Sequence, residues 1–174
     1  MKASSLTSTE LGTAYHNFMQ HVNFDETLTQ PYLSQLRNWL IEHEILSEVA
    51  AMKLDLNLIE RFKMTALYEK IKKAPVRKTE VPFMMLVSDL VYQEADVLLQ
   101  GVVDLLIEDE TTVLIVDYKS DYVRDFNQQK EELTHRYHVQ MHYYLEAIKK
   151  MYPNKIVSCA VHYLNVNETI YYSE

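Results

Sequence analysis

Cysteine, glycine and proline are scarce in this 174-residue chain, which has one Cys, two Gly and four Pro. A single cysteine, Cys159, cannot build a disulfide framework, a four-cysteine iron–sulfur cluster or a structural zinc ribbon within the chain. With 48% hydrophobic and 24% charged residues, the composition excludes the flexible low-complexity classes and describes a globular domain. No apolar run approaches the roughly 18 residues of a membrane span, and the N-terminus lacks the basic-then-apolar order of a secretory signal. No membrane partner is therefore expected, and a reducing cytoplasm is the expected location. A Gly-rich phosphate loop is also missing, so no ATPase is expected within these residues. The formal charge of −8 argues against a generic nucleic-acid coat protein.

That total hides a local pattern. Residues 53–78 carry eight basic residues against three acidic ones, a net +5, which leaves −13 for everything else. A basic stretch on an acidic body could meet a phosphate backbone on one side, or could simply be a solvated helix face.

Periodicity divides the chain. Thr7 and Glu10 have capping-box spacing, and Leu11, Ala14, Tyr15, Phe18, Met19 and Val22 follow at helical intervals. Pro31 suits the first turn of a second helix through Leu33, Leu36, Trp39 and Leu40. Asn57 with Glu60 opens a third helical stretch running to Ile71, before Pro75. The period then changes. Residues 81–87, 97–107 and 112–118 are rich in Val, Leu and Ile and read as strands, the last two joined by a polar turn at Glu108, Asp109 and Glu110. A long amphipathic helix over about 130–151, stopped by Pro153, precedes two more strands at 156–164 and 169–172. The expected fold is a mixed α/β domain with an N-terminal helical part.

Each glycine precedes a potential metal ligand. Gly12 lies inside the first helix, at a cost of about 1 kcal/mol relative to Ala, four residues before His16. Gly101 lies in an apolar strand, three residues before Asp104, where a glycine marks a bulge, a bend or a close backbone approach. Asp104 sits among Val and Leu in a strand that reads as buried, so its carboxylate must pair, accept hydrogen bonds or stay neutral. A salt-bridged core Asp would be the ordinary explanation, but the next strand repeats the anomaly in Val116-Asp117-Tyr118-Lys119. Asp117 and Lys119 share a strand face. Asp104 and Asp117 lie on the two arms of one hairpin, where converging carboxylates repel unless a divalent cation lies between them, and oxygen donors suit Mg²⁺ or Mn²⁺. A lysine beside such a metal can position water or stabilise charge on a phosphate.

These residues resemble the motifs of the RecB-type nucleases of the PD-(D/E)XK superfamily, and within them the nuclease domains of the AddA (RexA) helicase–nuclease subunits. The matching runs are Gly12-Thr-Ala-Tyr-His16, Glu80-Val-Pro-Phe83, Gln100-Gly-Val-Val-Asp104, Val116-Asp117-Tyr118-Lys119-Ser120-Asp121 and Gln140-x-x-x-Tyr144. Ser120 stands where Thr is commoner, which keeps the hydroxyl.

The resemblance implies a restriction-endonuclease-like core, a mixed central sheet flanked by helices, in one nuclease domain over 1–174. The helical part covers about 1–75 and the catalytic core about 76–174, with the His16 helix contributing to the site. It implies an exonuclease that hydrolyses DNA phosphodiesters with Mg²⁺, or Mn²⁺ in its place, and a metal-activated water, without an iron–sulfur cluster. His16, Asp104, Asp117 and the Tyr118 carbonyl would be metal ligands and Lys119 the catalytic lysine. Glu80 matches an acidic position near the site, and Gln140 and Tyr144 would contact DNA or orient the site residues. The implied partners are single-stranded DNA fed by a helicase, the remainder of an AddA chain and the AddB subunit, in double-strand-break repair and recombination. Two alternatives keep the fold: a binding module of DNA or protein with little activity when isolated, and a stand-alone phage or repair exonuclease. His135, His138 and His142 form a further helical stripe, with the 138/142 spacing of a zinc pair but no Glu in the His-Glu-x-x-His position, and the stripe is expected to face away from Gln140.

Overall fold

A computed structural model describes residues 6–87 and 97–173. Its contacts group the chain into two units, Met1–Lys73 with Tyr118–Lys130 and Val161–Thr169, and Ala74–Asp117 with Glu131–Ala160 and Ile170–Glu174.

The first unit is mainly helical. Helix α1, Ser8–Gln20, begins with the expected capping box: Thr7 Oγ1 accepts the Glu10 N–H, and the Glu10 carboxylate accepts the Thr7 N–H at 2.7 Å. Helix α2, Gln30–Glu42, follows its Thr29 cap with Pro31 in the first turn. A short helix, α3 (Glu48–Lys53), capped by Ser47, was not expected from periodicity.

The third expected helix is broken into α4 (Leu56–Arg61), a 3-10 turn (Phe62–Met64) and α5 (Ala66–Lys73). The cap of α4 is Asp55, not Asn57: the Asp55 carboxylate accepts the Asn57 N–H at 2.9 Å. Thr65 makes the break, donating to the Phe62 carbonyl and accepting the Tyr68 N–H. The core of this unit closes on Phe62, whose ring meets Phe24, Tyr68, Tyr118 and His162.

In the second unit β1 (Val76–Val87) and β2 (Val97–Glu108) run antiparallel over twelve residues each. Strand β1 starts five residues before its hydrophobic run, because β2 supplies ladder partners as far as Glu108 for the polar segment after Val76. Strand β3, Thr112–Lys119, pairs antiparallel with β2, and Asp109 closes their turn by accepting the Thr111 and Thr112 N–H groups. Helix α6, Phe126–Met151, starts four residues earlier than expected because Asp125 caps it, accepting the Gln128 N–H.

Strands β4 (Ile156–Tyr163) and β5 (Glu168–Tyr172) complete a five-stranded sheet of order β1-β2-β3-β4-β5. Ile156 N–H donates to Thr111 O, and Leu164 N–H donates to Lys119 O. Both partners advance by eight residues, so β3 and β4 are parallel and α6 is their crossover. The sheet is mixed and its strands are flanked by helices, as the resemblance implies.

Candidate active site

Register sets the arrangement of the acidic residues. The β2–β3 ladder pairs Leu105 with Val116, so one step further Asp104 stands opposite Asp117. The β1–β2 ladder pairs Thr79 with Leu105 and Val81 with Val103, which brackets Glu80 opposite Asp104. Three acidic positions therefore lie in one row across three neighbouring strands. Glu80 is exposed and holds a left-handed φ of 50°, a conformation costly for a side chain other than Gly, so the row is kinked at its outer member. Asp104 is half-buried and Asp117 is 3% exposed. Directly opposed like charges destabilise a sheet, and the forty residues between Lys78 and Lys119 contain nine acidic residues and no Lys, Arg or His.

Helix α6 reaches this row with Gln140 and Tyr144, one turn apart. The Gln140 amide donates to Asp117 Oδ1 at 3.5 Å and to the Tyr144 hydroxyl at 3.0 Å, and that hydroxyl donates to the Val102 carbonyl at 3.1 Å. Burial pushes the Tyr144 phenol above its ordinary range, the Gln140 hydrogen bond opposes this, and the Asp117 and Asp104 charges add to the rise. Both carboxylates thus act on one phenol.

The same ring packs edge-on against Phe83, with centroids 5.1 Å apart. Phe83 in turn lies over Gly101: a Cβ there would stand 2.6 Å from the ring's Cζ. Gly101 is thus the close approach expected of a strand-interior glycine, and the chain of contacts runs Gly101, Phe83, Tyr144, Gln140, Asp117.

Two neighbours of Asp117 carried no sequence signal. Cys159 and Tyr172 are both raised first by burial and then by the Asp117 charge, Tyr172 to about 12. Cys159 is buried, with Sγ 3.8 Å from the Met141 carbonyl, so it is an inert core thiol. Only adjacency in the folded sheet, with no motif in the sequence, reveals either residue.

Lys119, Tyr118 and His16 belong to the first unit. Lys119 is half-buried at the end of β3, and its carbonyl accepts the Leu164 N–H at 2.9 Å. Tyr118 is buried with its ring edge-on to Phe62 at 5.9 Å. On α1, His16 is half-buried one turn beyond Gly12, where a Cβ would come within 3.3 Å of Ser120 Oγ. Gly12 therefore lets α1 pass close to the residue that follows Lys119. His135, His138 and His142 are all exposed, whereas Gln140 is half-buried toward Asp117, in line with their expected separation.

Within the basic stretch, Arg61 meets the Asn165 carbonyl, Lys63 pairs with Glu60, Lys73 with Glu69 and Lys78 with Glu108, and Lys72 lies over the Tyr68 ring.

Among the described residues no three His, Cys, Asp or Glu side chains cluster around one metal-sized position. The fit for a divalent ion rests on Asp104 and Asp117, two hard oxygen donors opposed across a hairpin in a stretch without a basic residue.

Comparison with known proteins identifies the family. The model of the PD-(D/E)XK nuclease superfamily matches residues 2–172. The chain is 35% identical to the A subunit of an ATP-dependent helicase/nuclease from Listeria monocytogenes serovar 1/2a, over 95% of this chain and 14% of that protein. It is 33% identical to the corresponding A subunit from Oceanobacillus iheyensis, over 89% of this chain and 13% of that one. With the A subunit from Thermoanaerobacter sp. strain X514 the identity is 31%, again over 89% and 13%. The chain therefore spans only about one seventh of the length of these relatives. By motif, sheet order and sequence similarity, it belongs to the PD-(D/E)XK nuclease superfamily.

Proposed function

We propose that this nuclease domain hydrolyses DNA phosphodiesters with Mg²⁺, acting as an exonuclease on single strands within a helicase–nuclease of double-strand-break repair and recombination in the cytoplasm. The observation that carries the proposal is the opposition of Asp104 and Asp117 across β2 and β3, with Gln140 donating to Asp117. Asp104 and Asp117 would hold the ion, with His16 and the Tyr118 carbonyl as the further ligands that the resemblance implies. A bound Mg²⁺ would supply Lewis-acid polarisation of a phosphoryl oxygen and neutralise developing charge. Lys119 brings an ammonium two residues beyond Asp117, suited to orient the attacking water and to stabilise the anionic transition state. Gln140, itself bonded to Tyr144, would orient the Asp117 carboxylate, and both side chains would be placed to contact DNA as the resemblance implies. Glu80 is a further acidic position in the same row.

The relatives are named as A subunits of a helicase/nuclease and are much longer than this chain. The partners would accordingly be the rest of such a polypeptide and an AddB subunit. A second reading, a nuclease-fold module with little activity of its own, is favoured by the run between Lys78 and Lys119, which lacks any cation to attract a DNA phosphate.

The test is cleavage of labelled single-stranded DNA with Mg²⁺, with Mn²⁺ and with EDTA, beside Lys119→Ala. Metal-dependent cutting lost in K119A is the expected result. Cutting that survives EDTA or K119A would overturn the mechanism, and salt-dependent DNA binding without cutting would favour the binding module.

A further inference from the structure

Strand β1 lies at the end of the sheet, and among the described residues it pairs with β2 alone. Pro82 fixes which backbone groups face outward. It is opposite Val102, and without an N–H it cannot exchange the two hydrogen bonds of a bonded pair, so 82↔102 is a non-bonded pair of the ladder. Bonded and non-bonded pairs alternate, so Met84 opposite Gln100 and Leu86 opposite Leu98 are also non-bonded pairs. The N–H and C=O groups of Met84 and Leu86 therefore point away from β2, to the open edge.

The side chains of these same residues are uncovered. Met84 is 66% exposed, Leu86 59% and Leu98 54%, and Val102 continues the strip beside Pro82. The intervening Phe83 is buried. A shallow hollow between Pro82, Met84, Gln100 and Val102 interrupts the strip and can take one apolar side chain. Long apolar edges are ordinarily blunted by charge because they recruit other strands, yet Met84 and Leu86 bring no charge to this one.

We propose that the β1 edge from Pro82 to Leu86 is a docking site for an extended polypeptide segment, apolar at every second residue and carrying Lys or Arg between. Three observations choose that occupant. Outward N–H and C=O groups at two-residue spacing match only another extended backbone. The charged residue of β1 nearest this stretch is the exposed Glu80, two residues before Pro82, which repels a nucleic acid and attracts a basic segment. The relatives carry about seven times this length of polypeptide, so in such proteins the occupant can come from further polypeptide of the same chain. Neither Met84 nor Leu86 belongs to the acidic row, so the docking edge and the nuclease reading stand or fall separately.

The test is residue-resolved amide hydrogen exchange on the isotope-labelled chain, with a heptapeptide of alternating Lys and Val and with its twin carrying Pro at every Val. The first peptide is expected to slow exchange at Met84 and Leu86 roughly tenfold, and the Pro twin to leave it unchanged. Leu86→Pro removes one outward N–H without touching the β1–β2 ladder and should abolish the protection at Met84. Met84→Lys, which keeps the backbone intact, should weaken it by like-charge repulsion. Equal effects of both peptides would reduce the interaction to charge and overturn the proposal. So would protection that grows with the protein's own concentration, which assigns the edge to a second copy, or protection by oligothymidylate, which assigns it to nucleic acid.

Discussion

Gly101 shows how one missing methyl group supports the site. Phe83 occupies the space a Cβ would need, and Phe83 holds the ring of Tyr144, which positions Gln140 against Asp117. Gly101→Ala should push Phe83 aside, cost about 1–3 kcal/mol of stability as an overpacked site does, and abolish cleavage. Thermal denaturation and DNA cleavage together check this, and G101A combined with Phe83→Leu should recover part of both. His162 makes a second prediction at this scale. Its Nδ1 lies 3.0 Å from Thr169 Oγ1, its ring lies on Phe62, and burial lowers its pKa from 6.5 to about 3. Because the folded value lies below the unfolded one, the unfolded chain takes up the proton first as pH falls. The stability of the neutral ring is then whole above pH 6.5 and is lost progressively toward pH 3. Between pH 6.5 and 5 the loss is about 2 kcal/mol. Denaturant unfolding across that range should show it, and His162→Gln should flatten the dependence. An equal slope in both proteins would show that another group is responsible.

At the scale of elements, α6 joins the site through two side chains one turn apart. Tyr144→Phe keeps the ring on Phe83 and removes only the hydroxyl that links Gln140 to the Val102 carbonyl. It should cost about 1 kcal/mol and reduce cleavage without abolishing it, whereas Gln140→Ala removes the contact to Asp117 itself and should cost more activity than Y144F. The strands and α6 were legible in the sequence because hydrophobic runs and the 3.6-residue period are local signals. The capping box at Thr7 was legible for the same reason. Thr65 was not: its break in the third helix depends on a side chain bonding its own neighbours' backbone, and polarity alone does not reveal that choice. The polar start of β1 was hidden because its pairing comes from β2 and not from its own composition. Asp104 and Asp117 stood out as charges in apolar runs, and the hairpin implied their convergence. Phe83 matched a motif with no role attached, while Cys159 and Tyr172 approach Asp117 only through sheet order.

At the scale of the whole molecule, charge is distributed against the proposed chemistry until a cation binds. The acidic row lies in a stretch of sequence with no basic residue, and Arg61, Lys63, Lys73 and Lys78 of the residue 53–78 stretch are engaged within the protein. Mg²⁺ is expected to raise the melting temperature of the wild type but not of Asp117→Asn. The most direct measurement is calorimetric titration of Mn²⁺ and Mg²⁺ into the wild-type chain, Asp104→Asn and Asp117→Asn. Saturable binding to the wild type that is lost in both variants is the expected result. Binding that persists unchanged in D104N and D117N would contradict a metal site built on the opposed carboxylates.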